Sequence, residues 1–506
     1  MRNHRVRPGR AAALATVLAA GLLAAPAGPA SGQTPPTAAA PPAGVATPTV
    51  TGPVDGAPFS VSRPVDLAAA GYRQDEFFLS GTAQAYLDDG PWGDDGRWNA
   101  RPNPDATAPY STRIIVRRPA SKSDFNGTVV VEWLNVSAGF DAEPDWVWEN
   151  EELLRSGYAY VGVSAQAVGV NFLRGITRYA GLSHPGDAFS YDMFSQAAKA
   201  VEAPAAGGPQ PLGDLTRRVR RLLADGESQS AGRMVTYVNA VQPLTGSFDG
   251  FLIHSTGGGA NLSQPSPPGS PVTPTVPAVR PLQVVRTDQD APVLVVNTET
   301  DIVRAGSASA IHGQPDADRF RVWELTGTAH IDLDQVGNFD CGGAPVNDAP
   351  QRWALRAAVH TLDRWVRRPS LGAPKGPRIS VSAGALDRDP ATGLVVGGIR
   401  LPDVAVPDRT LTGVRPSPPA NLFCVLDGAH DPWNGDADPW DGDPALDPSP
   451  TPEPVPAALY ASKQDYAFRY VLSGLQLNMQ GFLLAGDFDE LLISAQARAE
   501  ALPGVS

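Results

Sequence analysis

Three short strings carry side chains suited to acyl transfer: GESQSAG at 226–232, NTETD at 297–301 and GTAHID at 327–332. A serine hydroxyl is a poor nucleophile until a base takes its proton. An imidazole can be that base near neutral pH when a carboxylate fixes its tautomer. The strings supply the three groups in the chain order serine, acid, histidine, an order known for serines presented at the edge of a parallel sheet.

Two frames compete for the serine. A nucleophile on a sharp strand-to-helix turn needs small residues two before and two after, because the two backbones pass close there. Ser228 has Gly226 before and Ser230 after; Ser230 has Ser228 before and Gly232 after. Ser228 is preferred, because Gly226 then ends the strand and Gln229 starts the helix. His330 is the base: of the seven histidines, no other follows a core strand so late in a loop rich in Gly and Thr. Asp301 is the preferred acid, with Glu299 as the alternative. An oxyanion needs two backbone N–H donors, here Gln229 and an amide of the 135–139 loop, Val136 or Ser137.

Apolar periodicity locates the elements that must position these groups. Near-continuous β-branched runs at 127–136, 158–166, 219–226, 250–256, 291–299 and 319–325 read as strands buried on both faces. Helical spacing appears at 145–157, 190–203, 230–242 and 351–366. Alternating strands and helices imply a mostly parallel sheet with helices on both faces. Residues 56–370 form this core. Insertions at 167–189 and 257–290 are read as loops or a lid over the strand ends, and 371–506 as an addition packed on the core. Trp133, Trp146 and Trp148 belong either to a cleft wall or to helix packing.

The N-terminus has a basic stretch, an apolar run of about 15 residues and Ala25-Pro26-Ala27. That pattern predicts a secretory signal peptide over 1–27 of the general export type. The run is shorter than the roughly 20 residues of a spanning helix, so no stable membrane anchor is expected after processing. Residues 28–55, rich in Pro and Ala, read as a linker. In an oxidising compartment Cys341 and Cys424, the only two cysteines, form a natural disulfide pair; two separate buried thiols are the alternative. Net charge is −13 with no basic stripe, which argues against nucleic acid as a partner. No phosphate loop, dinucleotide fingerprint or metal-ligand spacing appears, so neither cofactor nor metal is expected. The acidic run 431–443 has no terminal Glu of a calcium loop and reads as solvated.

The strings VVVEWLNVSAGFDAEPDW, GESQSAGRMVTYVNA, VNTETDI and ELTGTAHID resemble a family of exported bacterial α/β-hydrolase-domain proteins over roughly residues 55–500. The resemblance implies the α/β-hydrolase fold, with the serine preceding Gln229 as nucleophile. Ala231 departs from it, standing where glycine is expected. The elbow is also loosely similar to that of carbohydrate esterases with G-x-S-x-x-G. The expectation is a secreted serine hydrolase that cleaves a small-molecule or carbohydrate-linked carboxylic ester through an acyl-enzyme. An acyltransferase with the same triad and a non-catalytic binding protein are the alternatives.

Overall fold

The computed structural model describes residues 44–62, 64–90, 93–256, 284–304, 311–336, 345–415, 422–433 and 454–506. The leader 1–27, linker residues 28–43, most of the 257–290 insertion, Cys341 and acidic residues 434–443 lie outside them.

Nine strands form one sheet: β1 (Thr49–Thr51), β2 (Tyr72–Asp88), β3 (Ala100–Pro119), β4 (Thr128–Trp133), β5 (Ala159–Val163), β6 (Arg221–Glu227), β7 (Gly250–His254), β8 (Val293–Thr298) and β9 (Phe320–Leu325). Their spatial order is β1-β2-β3-β5-β4-β6-β7-β8-β9. From β5 to β9 every pairing is parallel, while β1, β2, β3 and β5 pair antiparallel. This is the α/β-hydrolase architecture with a mostly parallel sheet.

Side chains alternate between two cores along each central strand. On one face Val129, Val131, Phe251, Ile253, Val293 and Val295 pack with Met234, Val235 and Val238. On the other, Val130, Leu252, Leu294 and Val296 meet Trp148, Leu153, Trp353, Leu362 and Trp365. Burial on both faces explains why these strands read as unbroken apolar runs.

The helices of the first half are α1 (Pro144–Arg155), α2 (Ala167–Arg174), α3 (Ser190–Glu202), α4 (Gln229–Thr236) and α5 (Gln242–Thr245); then come α6 (Glu299–Arg304), α7 (Leu333–Val336) and α8 (Gln351–Arg367). The continuous helix expected over 230–242 is broken by a π-helical turn at Tyr237–Val241. Pro243 has no N–H to offer the Asn239 carbonyl, and that carbonyl accepts from Arg286 Nη1 at 3.0 Å instead.

Three expectations change. The linker is not free up to residue 55, since β1 pairs with β2. The 167–189 insertion is not an open loop, because α2 and two short 3₁₀ turns bury Val170, Leu173, Tyr179 and Leu182 against Phe59 and Phe78. All three tryptophans are buried: Trp133 packs on Tyr191 and Phe194, Trp146 on Tyr160, and Trp148 on His254.

Beyond residue 371 come α9 (Pro402–Ala405), α10 (Pro456–Leu459), α11 (Lys463–Gln480) and α12 (Phe488–Ala501), with strand pairs β10 (Val381–Ser382) to β11 (Ala385–Leu386) and β12 (Arg409–Thr412) to β13 (Ala429–Pro432). Tyr466, Tyr470, Leu477 and Leu491 join the core of Trp323 and Trp353, so the addition shares a hydrophobic core with the sheet.

Beneath the strand ends four carboxyl groups are fully buried: Glu132 of β4, Asp225 of β6, and Asp145 and Glu149 of α1. Glu132 accepts from the N–H groups of Asp145 and Trp146 and from the Tyr160 hydroxyl, which caps α1. Within this cluster Asp145 Oδ2, Asp225 Oδ2 and both oxygens of Glu149 meet no hydrogen-bond donor among the described residues. A buried carboxyl oxygen without a donor favours the protonated, uncharged form. Burial, followed by mutual repulsion, pushes Glu132, Glu149 and Asp225 well above the carboxylate range, and burial raises Asp145 to about 7.

Here the folded state keeps protons that the unfolded chain releases above pH ~4. The stabilisation is therefore complete below that pH and is lost as pH rises through the raised values. Burial lowers His184, His254 and His430, which act in the opposite direction, but below their ordinary value of ~6.5. The melting temperature is thus expected to fall between pH 6.5 and 8.5, and Glu149→Gln to flatten that fall. A wild-type melting temperature that is constant or rising across this window excludes protonated acids in this cluster.

Candidate active site

Strand β6 ends at Glu227 and α4 begins at Gln229, leaving Ser228 alone in the turn. Its backbone has φ +59° and ψ −116°, a conformation that costs a non-glycine residue of order 1–3 kcal/mol. Two bonds offset that cost: the Ser228 N–H donates to the His254 carbonyl at 2.9 Å, and its own carbonyl accepts the Gly232 N–H at 3.1 Å. Strand and helix are so close here that a Cβ on Gly226 would lie 3.1 Å from Met234 and 3.3 Å from Ser230. Ser230 itself is fully buried in α4, with its Oγ 3.3 Å from the Leu134 carbonyl. Of the two serines, the structure puts only Ser228 against the histidine.

The loop after β9 carries His330. Its N–H donates to Thr300 Oγ1 at 3.1 Å, and the neighbouring Ala329 carbonyl accepts from Gln351 Nε2 at 3.1 Å. His330 Nε2 lies 2.7 Å from Ser228 Oγ, and Nδ1 lies 2.6 Å from Asp301 Oδ1. The other oxygen of Asp301 accepts from the N–H and hydroxyl of Thr298, both at 2.7 Å. Burial would raise the Asp301 carboxyl, but the imidazole beside it and the Thr298 bonds bring it below the usual range. Burial would likewise lower His330, yet Asp301 and then Glu227 hold it above the ordinary histidine value.

Glu299 has a different place. Its Oε2 accepts from the Gly327 N–H at 2.9 Å; its Oε1 accepts from Gly413 N–H, Thr412 Oγ1 and Arg388 Nη2 at 3.0–3.1 Å. It therefore clamps the histidine loop to the C-terminal addition. The join is tight: a Cβ at Gly413 would lie 2.4 Å from the Thr300 nitrogen and 2.8 Å from the Thr328 carbonyl.

The two oxyanion candidates in the 135–139 loop separate as well. The Ser137 N–H is already donated to Asn135 Oδ1 at 2.7 Å, so it is not free to stabilise a developing charge. Val136 N–H and Gln229 N–H have no acceptor among the described residues. Cys424 is fully buried, and its expected partner Cys341 lies outside the described residues.

Two site residues escaped the sequence reading. Glu227 places Oε1 3.2 Å from His330 Nε2, and Asn135 Nδ2 donates to Glu227 Oε2 at 2.8 Å. The available signal was a second acidic residue in the strand, two after Asp225 and directly before the serine.

A family model described as "Alpha/beta hydrolase domain" matches residues 38–493. A search of curated proteins found no match. Among solved structures, the chain is similar to a serine hydrolase without a lid from Xanthomonas campestris at 14% identity; 49% of this chain and 86% of that one are covered, with a TM-score of 0.27. It is also similar to fungal esterases from Rhizomucor miehei at 10% identity, covering 59% and 87% with a TM-score of 0.28.

Removing the Glu299 clamp leaves Arg388 and two glycine N–H groups without their acceptor. Glu299→Ala is expected to lower unfolding free energy by about 3 kcal/mol, measured by denaturant titration. Asp301→Asn should cost much less stability. Equal costs would contradict the division of labour between the two acids.

Proposed function

The chain belongs to the alpha/beta hydrolase domain family, and we propose that it is an exported serine hydrolase acting on a carboxylic ester. The reading rests on one observation: unbroken hydrogen bonds from Ser228 through both nitrogens of His330 to Asp301, starting from a serine at positive φ. In this reading Ser228 Oγ attacks the ester carbonyl while its proton passes to His330 Nε2. The charge on the carbonyl oxygen is received by the N–H groups of Gln229 and Val136. Collapse of the tetrahedral species expels the alcohol, which takes the proton from Nε2 and leaves an acyl-Ser228 ester. Water then repeats the sequence, giving the free acid and restoring the serine. Asp301 stays ionised throughout and stabilises the imidazolium.

The substrate class proposed is a small-molecule or carbohydrate-linked ester. Export, removal of residues 1–27 and a Cys341–Cys424 disulfide belong to the same proposal. They rest on the basic and apolar N-terminus and on the two cysteines of the chain.

A fluorophosphonate probe is expected to label the wild type and Ser230→Ala, but not Ser228→Ala. Asp301→Asn should lower turnover of a p-nitrophenyl ester by about 10⁴-fold. Labelling that survives in Ser228→Ala and vanishes in Ser230→Ala would move the nucleophile to the other serine. A wild type that is never labelled would leave a binding protein as the better description. Ester formation with an added alcohol, outpacing hydrolysis, would redefine the enzyme as a transferase.

A further inference from the structure

The nitrogen of His330 that faces Ser228 has a second neighbour. Glu227 Oε1 lies 3.2 Å from Nε2 and Ser228 Oγ lies 2.7 Å from the same atom. Nε2 has one lone pair when neutral and one N–H when protonated, so it can serve only one of the two well. We propose that Glu227 is a positioning residue that shares one proton with His330 and competes with Ser228 for Nε2. The proposal rests on the serine-hydrolase reading above.

The geometry gives two resting arrangements with the same proton count. In one, Glu227 carries the proton, Nε2 is bare and the Ser228 hydroxyl donates to it. In the other, the proton has moved from the Glu227 oxygen to Nε2, leaving a carboxylate paired with an imidazolium, and the base is occupied. No charge enters or leaves the site in this exchange. Only the first arrangement activates the serine.

The surroundings keep the two arrangements in reach of one another. Glu227 is buried, and burial raises its carboxyl to about 8; Asp145 and Asp301 push the same way, while His330 and the Asn135 amide oppose them. His330 faces Asp301, Glu227 and the buried His254. Asn135 holds the carboxyl in place, its Nδ2 donating to both Oε2 and the backbone carbonyl of Glu227. The same Asn135 accepts from the Ser137 N–H, so the loop that carries the Val136 amide is tied to Glu227.

Two coupled groups release their protons in two macroscopic steps that belong to the pair. The rate of fluorophosphonate labelling against pH reads the fraction of bare Nε2 without any need for the natural substrate. In wild type that rate is expected to rise over two overlapping steps, the upper one above the ordinary histidine range. Glu227→Gln keeps the shape and the bond from Asn135 but removes the proton partner; one step should remain, about one pH unit lower. Asn135→Ala removes a bond that stabilises the carboxylate, so its upper step should move to higher pH. That second variant reads the same quantity should Glu227→Gln fail to fold. A merely structural glutamate would change the labelling rate at every pH by one factor and leave the curve's shape intact; that result overturns the proposal. Wild type that labels at no pH would instead overturn the serine reading beneath it.

Discussion

Everything at this site depends on an imidazole held at both nitrogens. His330 touches Asp301 through Nδ1 and Ser228 through Nε2, and neither partner lies near it in the chain. A surface histidine samples many rotamers; this one is buried, and the Ala329–His330 peptide is bonded through its N–H to Thr300 and through its carbonyl to Gln351. The serine sits in a tight turn at positive φ, where β6 and α4 pack closely at the Gly226 contact.

The parallel sheet makes this convergence possible. In parallel strands the carboxyl ends all point the same way, so loops after β6, β8 and β9 meet at one rim. Serine, aspartate and histidine each follow one of those strands. The C-terminal addition then acts from behind. Glu299 bonds to Gly413 and Arg388 and also to Gly327, so the addition is tied to the loop that carries His330. Its apolar helices also share the core with Trp323 and Trp353.

Burial of acid groups is the second theme. Asp225, Asp145, Glu149 and Glu132 lie under the same rim, and Glu227 stands at its edge. Asp301, by contrast, has an imidazole and two Thr298 donors and stays ionised. Carboxyl groups with similar solution chemistry are thus shifted in opposite directions according to whether an imidazole or other buried acids lie beside them.

Much of this was legible in the chain. Strands buried on both faces write themselves as β-branched runs, and a strained turn demands small neighbours, so the sheet and the GESQS elbow could be read directly. The order of serine, acid and histidine followed from strand ends. What remained ambiguous was decided by contacts between distant segments. Glu299 and Asp301 differ by two positions, and only the partners brought by β12 and the histidine loop separate clamp from orienter. Ser137 and Val136 are adjacent, and only the Asn135 side chain distinguishes the occupied amide from the free one. Glu227 drew no notice because its significance lies wholly in the nitrogen it faces. Local pattern determines which elements form; which side chains meet depends on how those elements are placed, and the chemistry depends on that meeting.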